Sequence, residues 1–379
     1  MNLVIDATSK ISGGGRVHLK NLIELFSPDK HHFSKIYLFA PSEFVSTINL
    51  NDNIIDCSNA FINKGSLGIL FWRLFIRNNE FSNIISKCVF SPFGDYFGGT
   101  IPYVSMSQNM LIFDEYQRKL FKFSITRIKL EILYLLQIKS FNNANGIIFL
   151  SNYALNYIKK FIKNNKQNFR VINHGINKEL FKSPSEQKSI HSYSFKKPFK
   201  FLYVSNILPY KHHLNVVSSI FELRKEGYPI SLTLVGKIDD FSTGNNLKHK
   251  INETNNEFKI IDWHQNIKFD NISDFYHNSD CFIFASSCEN MPNILIEAMA
   301  SGLPLICSKC EPMPEFLEDN GYYFDPYSVK SLKNEILNML NNNELRQKKC
   351  NNSYKLSTKY SWSRCTDETF NFLSQNIKQ

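Results

Sequence analysis

Short apolar runs alternate along the chain with longer segments of helical periodicity. Each apolar run has the length of a buried strand, and strands that alternate with helices are typical of parallel α/β sheets. The pattern therefore predicts two Rossmann-like halves. The predicted strands are residues 3–7, 36–39, 103–106 and 146–150 in the first half and 201–204, 231–235, 280–285 and 305–307 in the second.

Chain length and the placement of breaker residues indicate two domains. A chain of 379 residues exceeds what one hydrophobic core usually supports. Between residues 182 and 198, Ser, Lys, Pro and Gln replace the apolar periodicity, as in a linker. We therefore predict an N-terminal domain at 1–182 and a C-terminal domain at 198–360. The sequence shows no internal repeat of fixed period.

The composition is that of a large globular protein. Hydrophobic residues make up 43% of the chain and charged residues 21%, which excludes a disordered or a membrane-embedded protein. The chain has no long uncharged apolar run and enters a strand-like segment without a signal peptide, so we expect a cytoplasmic protein. We expect the eight cysteines to be reduced and mostly buried, because Cys307 and Cys310 form a Cys-x-x-Cys without a second pair.

The formal net charge of +10 favours an anionic partner. No recognised nucleic-acid motif accompanies this charge, so nucleic acid is not predicted. An anionic membrane surface or a diphosphate-bearing substrate explains the charge more economically.

Two glutamates flank the predicted start of a helix between two apolar strands. Pro292 suits the first turn of that helix, and Gly302 suits its end. Ligands of open parallel sheets bind outside the carboxyl ends of the strands, so Glu289 would lie in that crevice. Glu297 follows Asn293 by four residues, and its carboxylate could accept two hydrogen bonds from a ribose diol. The spacing alone is equally consistent with a solvated Glu297 and with Glu289 as an ordinary loop acid.

The Glu-x7-Glu spacing, followed by Ala-Met-Ala-Ser-Gly-Leu-Pro, resembles the signature of glycosyltransferase family 4, retaining enzymes of the GT-B fold. The resemblance implies an α/β protein of GT-B architecture, with two Rossmann-like domains that face each other across a cleft. It implies that Glu297 holds the nucleotide ribose and that Glu289 contacts the transferred sugar. N–H groups near Met291 and Asn293 would assist departure of the donor phosphates. The resemblance is strong only from about residue 203 to 325.

A second motif follows the first strand of the second domain. The family usually has an arginine and a lysine there that neutralise the donor pyrophosphate, whereas this chain has Asn206 and Lys211. Asparagine donates hydrogen bonds but carries no charge. The phosphate site is therefore expected to be weaker, or to be completed from elsewhere, for example by Lys237. On the residues alone, Lys211 could also be a solvated lysine at a helix start, and for Lys237 a solvated position is the favoured interpretation.

Glycines cluster between the first strand and the first helix. Glycine lets the backbone approach a phosphate or sugar closely, and the following helix offers N–H donors. The cluster is not a Gly-x-Gly-x-x-Gly, so a nicotinamide fingerprint is not supported. In the family the corresponding loop lies across the cleft from the donor phosphates, which makes Gly14 and Gly15 the preferred contacts. A merely flexible turn is the alternative.

Four polar residues of the first half are candidates for the acceptor side of the cleft. Gln108 and Asn109 stand where many relatives carry His-Asp. Glutamine can hydrogen-bond a sugar hydroxyl but cannot transfer protons, so the sequence shows no general base there. Relatives are thought to need none, because the leaving phosphate can take the acceptor proton. His18 and His174 are further candidates, although a lone histidine is more often structural.

Two segments mix basic residues with large apolar ones, residues 117–129 and 66–77. Such a face can lie on an anionic leaflet, with cations at the lipid headgroups and aromatic side chains below them. Most such stripes instead pack on a core on one side and face water on the other. If the first interpretation holds, the acceptor is lipid-linked.

The resemblance thus implies a cytoplasmic, retaining glycosyltransferase that moves a hexose-type sugar from a nucleotide diphosphate sugar to a surface polysaccharide or lipid-linked oligosaccharide acceptor. A peripheral position at the inner face of the membrane follows only if the two basic segments lie on an anionic leaflet. No cofactor and no metal are implied. The resemblance also implies that the last helix crosses back onto the first domain, so residues from about 360 to 379 are expected to join it. Two alternatives remain open: a nucleotide-sugar epimerase of the same architecture and a non-catalytic GT-B binding or scaffold subunit, which the identities of Asn206 and Gln108 favour.

Overall fold

The computed structural model describes residues 1–9, 11, 13–97, 99, 101–164, 166–267 and 271–376, apart from the side chain of Lys87. The chain divides into two compact units. The first unit comprises residues 1–118, 123–175 and 360–379, and the second comprises residues 119–122 and 176–359. Residues 182–198 therefore lie inside the second unit. Of the predicted C-terminal segment, residues 377–379 lie outside the described residues.

The first unit is built on a seven-stranded parallel sheet with the strand order β3-β2-β1-β4-β5-β6-β7. The interior strands consist of apolar runs that are buried on both faces, as parallel sheets covered by helices require. The strands are β1 (Asn2–Asp6), β2 (Lys35–Phe39), β3 (Ile54–Asp56), β4 (Ser86–Ser91), β5 (Tyr103–Met106), β6 (Gly146–Phe149) and β7 (Asn168–Val171).

Helices cover this sheet, and the last helix of the chain packs against the first. A π-helical turn, Trp72–Ile76, joins α5 to α6. The helices of the first unit are α1 (Gly13–Glu24), α2 (Pro28–His31), α3 (Ser42–Val45), α4 (Ala60–Asn63), α5 (Gly65–Phe71), α6 (Arg77–Asn83), α7 (Glu115–Lys119), α8 (Ile125–Asn143), α9 (Asn152–Ile158) and α17 (Trp362–Gln375).

The second unit has a six-stranded parallel sheet with the order β10-β9-β8-β11-β12-β13. Its strands are β8 (Phe199–Val204), β9 (Ile230–Val235), β10 (Ile261–His264), β11 (Cys281–Phe284), β12 (Leu305–Ser308) and β13 (Tyr322–Phe324). Its helices are α10 (His213–Lys225), α11 (Phe241–Glu257), α12 (Ile272–His277), α13 (Asn293–Ala300), α14 (Met313–Leu317), α15 (Val329–Asn341) and α16 (Asn343–Ser357).

Both sheets reverse their strand order once. In the first unit the reversal lies between β1 and β4, and in the second between β8 and β11. The loops that leave the carboxyl ends of such a strand pair diverge and open a crevice, which is where ligands of open α/β sheets bind. In the second unit these two loops carry the motifs that contain Lys211 and Glu289.

The predicted α/β architecture with two parallel sheets is confirmed, and each strand predicted from an apolar run is present with its ends shifted by at most two residues. Five strands, β3, β4, β7, β10 and β13, were not predicted. All eight cysteines are free thiols, and six of them are buried. Within the described part of the chain, no helix has both the length and the apolar character needed to cross a membrane.

Candidate functional site

The loops after β8 and β11 are tied to each other and bring the two motifs of the second unit together. The amide of Ser287 donates a hydrogen bond to the carbonyl of Tyr210 at 2.9 Å, and the hydroxyl of Ser287 lies 2.8 Å from His212 Nε2. The hydroxyl of the buried Tyr203 side chain donates to the carbonyl of Lys211 at 2.7 Å. These contacts fix the backbone on both sides of the crevice.

Lys211 and Glu289 form an ion pair at this crevice, between Lys211 Nζ and Glu289 Oε1. Their side chains are only 9% and 16% exposed, so water screens the pair less than it screens a surface pair. The ammonium group also lies 5.3 Å and 5.5 Å from the ring centroids of Tyr210 and Phe284. Lys211 is therefore not a solvated lysine, and the predicted roles of Lys211 and Glu289 at a donor stay predictions.

Helix α13 follows Glu289 and has well-defined ends. Pro292 is the N-cap residue rather than part of the first turn, and its carbonyl accepts from the amides of Leu295 and Ile296. At the other end Gly302 has a φ of +67°, and its amide donates to the carbonyl of Met299 at 3.1 Å. This left-handed glycine stop was predicted from the sequence.

Glu297 lies one turn inside α13 and is half-buried. The hydroxyl of Tyr276, on α12, donates to Glu297 Oε2 at 3.0 Å. Burial raises the pKa of Glu297 from its ordinary value near 4.5 to about 7, because a carboxylate loses hydration there, and the hydrogen bond from Tyr276 opposes this rise. Near neutral pH the carboxyl group is therefore poised between its two protonation states.

The structure places Asn206 against a carboxylate. Its side-chain amide donates to Asp239 Oδ2 at 2.7 Å, and Lys237 Nζ lies 3.5 Å from Asp239 Oδ1. The Lys237 side chain is 62% exposed, which agrees with a solvated lysine. A side chain on Gly236 would collide with the carbonyl of Ser205, so glycine is required where the loops after β9 and β8 meet.

In the first unit the glycine cluster approaches Gln108. Gly13, with a φ of +54°, begins α1, so Gly14 and Gly15 belong to the first helical turn rather than to a free loop. A Cβ atom on Gly15 would lie 2.9 Å from Gln108 Oε1 and 2.9 Å from the ring of Phe93. The first turn of α1 thus lies close to Gln108, which follows β5 and is one of the acceptor-side candidates. The predicted donor contacts of Gly14 and Gly15 stay predictions.

The remaining acceptor-side candidates have structural partners. The Asn109 side chain caps a short 3₁₀ helix by accepting from the amide of Leu111 at 3.0 Å. His18 and His174 are buried and stacked, with ring centroids 4.7 Å apart, and Trp362 lies 5.5 Å from His174. Burial lowers the pKa of His18 to about 4, so its ring is neutral at physiological pH. These positions favour the structural interpretation of both histidines.

Tyr276 and Asp239 are the site residues that sequence reasoning missed. Tyr276 lies 21 residues before Glu297, and Asp239 lies 33 residues after Asn206, so no local spacing relates them. The only signal in the sequence was their position near the ends of elements. Asp239 follows the end of β9, and Tyr276 lies near the end of α12.

Comparison with known proteins relates part of the second unit to a known family. The family described as "Glycosyl transferases group 1" matches residues 184–356. An uncharacterized glycosyltransferase of Methanocaldococcus jannaschii is 27% identical over 231 residues, covering 59% of this chain and 57% of that protein. The O-antigen chain mannosyltransferase B of Escherichia coli is 29% identical over 96 residues, 25% of each chain. The chain thus spans about half the length of the first of these relatives and a quarter of the second.

Among solved structures, Anabaena HepE in complex with UDP and glucose superposes with a TM-score of 0.71 at 17% identity, and the match covers 99% of both chains. At that identity the similarity establishes the fold. The fold is therefore the GT-B fold, and residues 184–356 of the second unit match the glycosyl transferases group 1 family.

Proposed function

We propose that this protein is a retaining glycosyltransferase that transfers a sugar from a nucleotide diphosphate sugar to a saccharide acceptor of a surface polysaccharide. The observation that carries the proposal is the ion pair between Lys211 and Glu289, built by the loops after β8 and β11 in the glycosyl transferases group 1 domain. The name of the O-antigen chain mannosyltransferase supports a polysaccharide acceptor.

Each of the three charged side chains has a role in this scheme. The Lys211 ammonium stabilises the negative charge that grows on the leaving diphosphate, and preorganised charges of this kind usually make the largest contribution to catalysis. Glu289, released from Lys211, accepts hydrogen bonds from hydroxyls of the transferred sugar. Glu297, in its ionised form, accepts hydrogen bonds from the ribose diol.

In the transfer step, the bond between the anomeric carbon and the β-phosphate oxygen breaks while the acceptor oxygen forms a bond to the same carbon. The acceptor proton moves to the leaving phosphate oxygen, so nucleoside diphosphate and glycoside are the only products. Gln108 cannot take a proton, which is consistent with a scheme that needs no side-chain base. Lys211 supplies the positive charge, so we propose that turnover needs no metal ion.

The test is to incubate the protein with a panel of nucleotide sugars that includes UDP-glucose and GDP-mannose, each with and without oligosaccharide acceptors. We expect release of nucleoside diphosphate that depends on acceptor, and a product whose anomeric configuration, read by NMR, matches the donor. Lys211→Ala should lose this activity, whereas Lys237→Ala, which removes an exposed lysine, serves as the matched control.

The other outcomes identify the alternatives. Nucleoside diphosphate released equally without acceptor, with a rearranged free sugar, would point to an epimerase. Tight nucleotide binding without any turnover across the panel would point to a binding subunit. An inverted product would contradict the retaining mechanism while leaving the transferase assignment intact.

A further inference from the structure

Helix α5 and the π turn that follows it turn their apolar side outwards. Trp72 and Arg77 face the interior and are 0% and 1% exposed. The opposite side carries large apolar residues spaced three and four apart, which puts them on one helical face. Their exposed fractions are 83% for Leu67, 50% for Leu70, 46% for Phe71, 55% for Leu74 and 71% for Phe75.

Buried polar contacts hold this orientation. Arg73 forms an ion pair with Asp95, with 2.8 Å between Nη1 and Oδ2. The guanidinium of Arg77 lies 3.7 Å from Asp6 Oδ2 and 4.4 Å from the ring centroid of Tyr96. Rotating the helix to bury its leucines and phenylalanines would break these contacts and leave buried carboxylates without their cations, which is costly. The apolar side therefore stays on the surface.

Helix α8 presents a second outward apolar stripe. The helix is anchored from its other side, where Leu130, Gln137 and Phe141 are buried. The stripe consists of Phe123, just before the helix, and of four helical residues spaced three, four and three apart. The exposed fractions are 110% for Phe123, 73% for Ile125, 62% for Ile128, 52% for Ile132 and 67% for Leu135.

Both stripes belong to the same face of the seven-stranded sheet. Helix α5 lies in the crossover from β3 to β4, and α8 lies in the crossover from β5 to β6. Both crossovers run towards the β7 edge of the sheet, and right-handed crossovers in one direction place their helices on one face. Helix α6, which continues from the π turn, and α8 also meet a common residue, because Arg77 of α6 donates to the carbonyl of Phe97 and Lys139 Nζ of α8 lies 5.7 Å from the Phe97 ring.

The exposed apolar side chains are concentrated on these two segments. Of the nineteen large hydrophobic side chains that are exposed in the described part of the chain, ten lie at residues 67–75 and 123–135. Single exposed apolar residues are ordinary on a protein surface, whereas a concentration of this kind marks a surface that another body covers.

The charges around the stripes are positive. Residues 57–79 contain no acidic residue and include the exposed Lys64. On α8 the only acidic residue is Glu131, and Arg118 and Arg127 neutralise it at 3.2 Å and 3.3 Å. Lys129 on the same helix is exposed. Apolar residues flanked by cations fit the boundary between anionic headgroups and acyl chains.

We propose that this apolar face, formed by residues 64–75 and 123–135, docks on the surface of an anionic lipid bilayer. A second copy of the chain would bring the same positive charge against itself, which disfavours self-association through this face. The proposal concerns a binding surface of the first unit and does not depend on the transferase activity proposed above.

The test is co-sedimentation of the intact protein with vesicles of phosphatidylglycerol and phosphatidylcholine, compared with pure phosphatidylcholine. Binding should need the anionic lipid and should weaken as salt screens the charges. The triple variant Ile125→Gln, Ile128→Gln, Ile132→Gln should lower the partition coefficient by about ten-fold or more, since each side chain loses apolar burial. Lys129→Gln should lower it about five-fold, because one interfacial lysine contributes about 1 kcal/mol.

Phe241→Gln is the matched control, because Phe241 is 77% exposed but lies in the second unit. It should leave vesicle binding unchanged. The melting temperatures of all variants should stay near wild type, since the substituted side chains are exposed.

Three results would overturn the proposal. The protein could bind neutral and anionic vesicles equally, Phe241→Gln could lower vesicle binding as much as the triple variant does, or the triple variant could keep the wild-type partition coefficient. Sedimentation analysis that shows a dimer which the triple variant abolishes would overturn it as well, since the face would then be covered by a second copy. Vesicle binding is measured without nucleotide sugar, so failure of the transferase proposal would leave this result unaffected.

Discussion

Removing the hydroxyl of Tyr276 should move the pH dependence of donor binding to higher pH. In the wild-type protein this hydroxyl donates to Glu297 Oε2 at 3.0 Å, and the pKa of Glu297 is about 7. The substitution Tyr276→Phe keeps the buried ring and deletes the donor. Since burial is the larger influence on Glu297 and the hydrogen bond opposes it, the pKa of Glu297 must rise further in the variant.

The size of the effect follows from the strength of the bond. A hydrogen bond to a charged group contributes about 1.5–3 kcal/mol, and one pH unit corresponds to about 1.4 kcal/mol. The ionisation midpoint of Glu297 should therefore move up by about 1 to 2 pH units. If the ribose diol requires the carboxylate form, the ionised fraction at pH 7 falls from about one half to between a tenth and a hundredth. The Kd for nucleoside diphosphate then rises about 5- to 50-fold.

The assay is isothermal titration calorimetry at pH 6, 7, 8 and 9 with the nucleoside diphosphate that binds most tightly among UDP, GDP and ADP. At pH 9 the Kd of the variant should exceed that of wild type by only about two-fold or less, because Glu297 is then largely ionised in the variant as well. Tyr103→Phe is the matched control. It deletes a hydroxyl that donates to the carbonyl of Ser140 at 2.6 Å in the other unit, so it should leave the Kd unchanged.

Two results would refute the reasoning. A loss of affinity that is the same at every pH would mean that Tyr276 acts through packing rather than through the protonation state of Glu297. An unchanged Kd at pH 7 would remove Glu297 from the nucleotide site, whatever its spacing from Glu289.

Four further outcomes are expected. Lys211→Ala should lower kcat/KM for nucleoside diphosphate release by about 100-fold or more, while Asn206→Ala should cost clearly less because only a neutral hydrogen bond is lost; the reverse order would place the phosphate contacts elsewhere. Glu297→Gln should raise the melting temperature at pH 8 but not at pH 4. The folded-state pKa lies above the ordinary value, so this group favours the folded state below about pH 4.5 and loses that contribution as the pH rises to about 7; equal shifts at both pH values would contradict this linkage. Gly15→Ala should lower the melting temperature, because its Cβ would lie 2.9 Å from Gln108 Oε1, and an unchanged unfolding curve would show that Gln108 moves aside. Turnover should survive EDTA, and a loss that Mg²⁺ restores would show that Lys211 does not act alone on the diphosphate.

Sequence reasoning predicted the elements of the candidate site better than the partners of its side chains. The places of Glu289 and Lys211 follow from strand ends and helix starts, which local patterns reveal. Their ion pair could not be predicted in this way, because it forms only if β8 and β11 are neighbours in the sheet. The two residues lie 78 positions apart in sequence, so no local pattern relates them. The same holds for Tyr276 beside Glu297.

The apolar face shows a question that periodicity leaves open. The mixture of basic and large apolar residues at 66–77 is consistent with an apolar side that faces either the core or the surface, and the structure turns that side outwards. The reason lies in Asp6 and Asp95, two buried carboxylates that recruit Arg77 and Arg73 from the other side of the helix. The basic segment at 117–129 spans two helices: α7 ends at Lys119, and α8 begins at Ile125.

The ion pair between Lys211 and Glu289 also bears on how the proposed site, which has Asn206 where the sequence resemblance implies an arginine, would hold a diphosphate. A charge that is largely withdrawn from water is costly without a partner of opposite sign. The ion pair gives Lys211 and Glu289 such partners. An arriving diphosphate offers Lys211 more negative charge than one carboxylate does, so the ammonium can exchange partners without passing through an uncompensated state. The exchange releases Glu289 at the moment a sugar with free hydroxyls arrives beside it. On this argument Glu289→Gln should weaken sugar recognition yet leave Lys211 more available to phosphate. The variant should then bind free nucleoside diphosphate at least as tightly as wild type while turning over poorly, and a calorimetric Kd that rises in parallel with the loss of kcat would show that the two residues do not exchange partners.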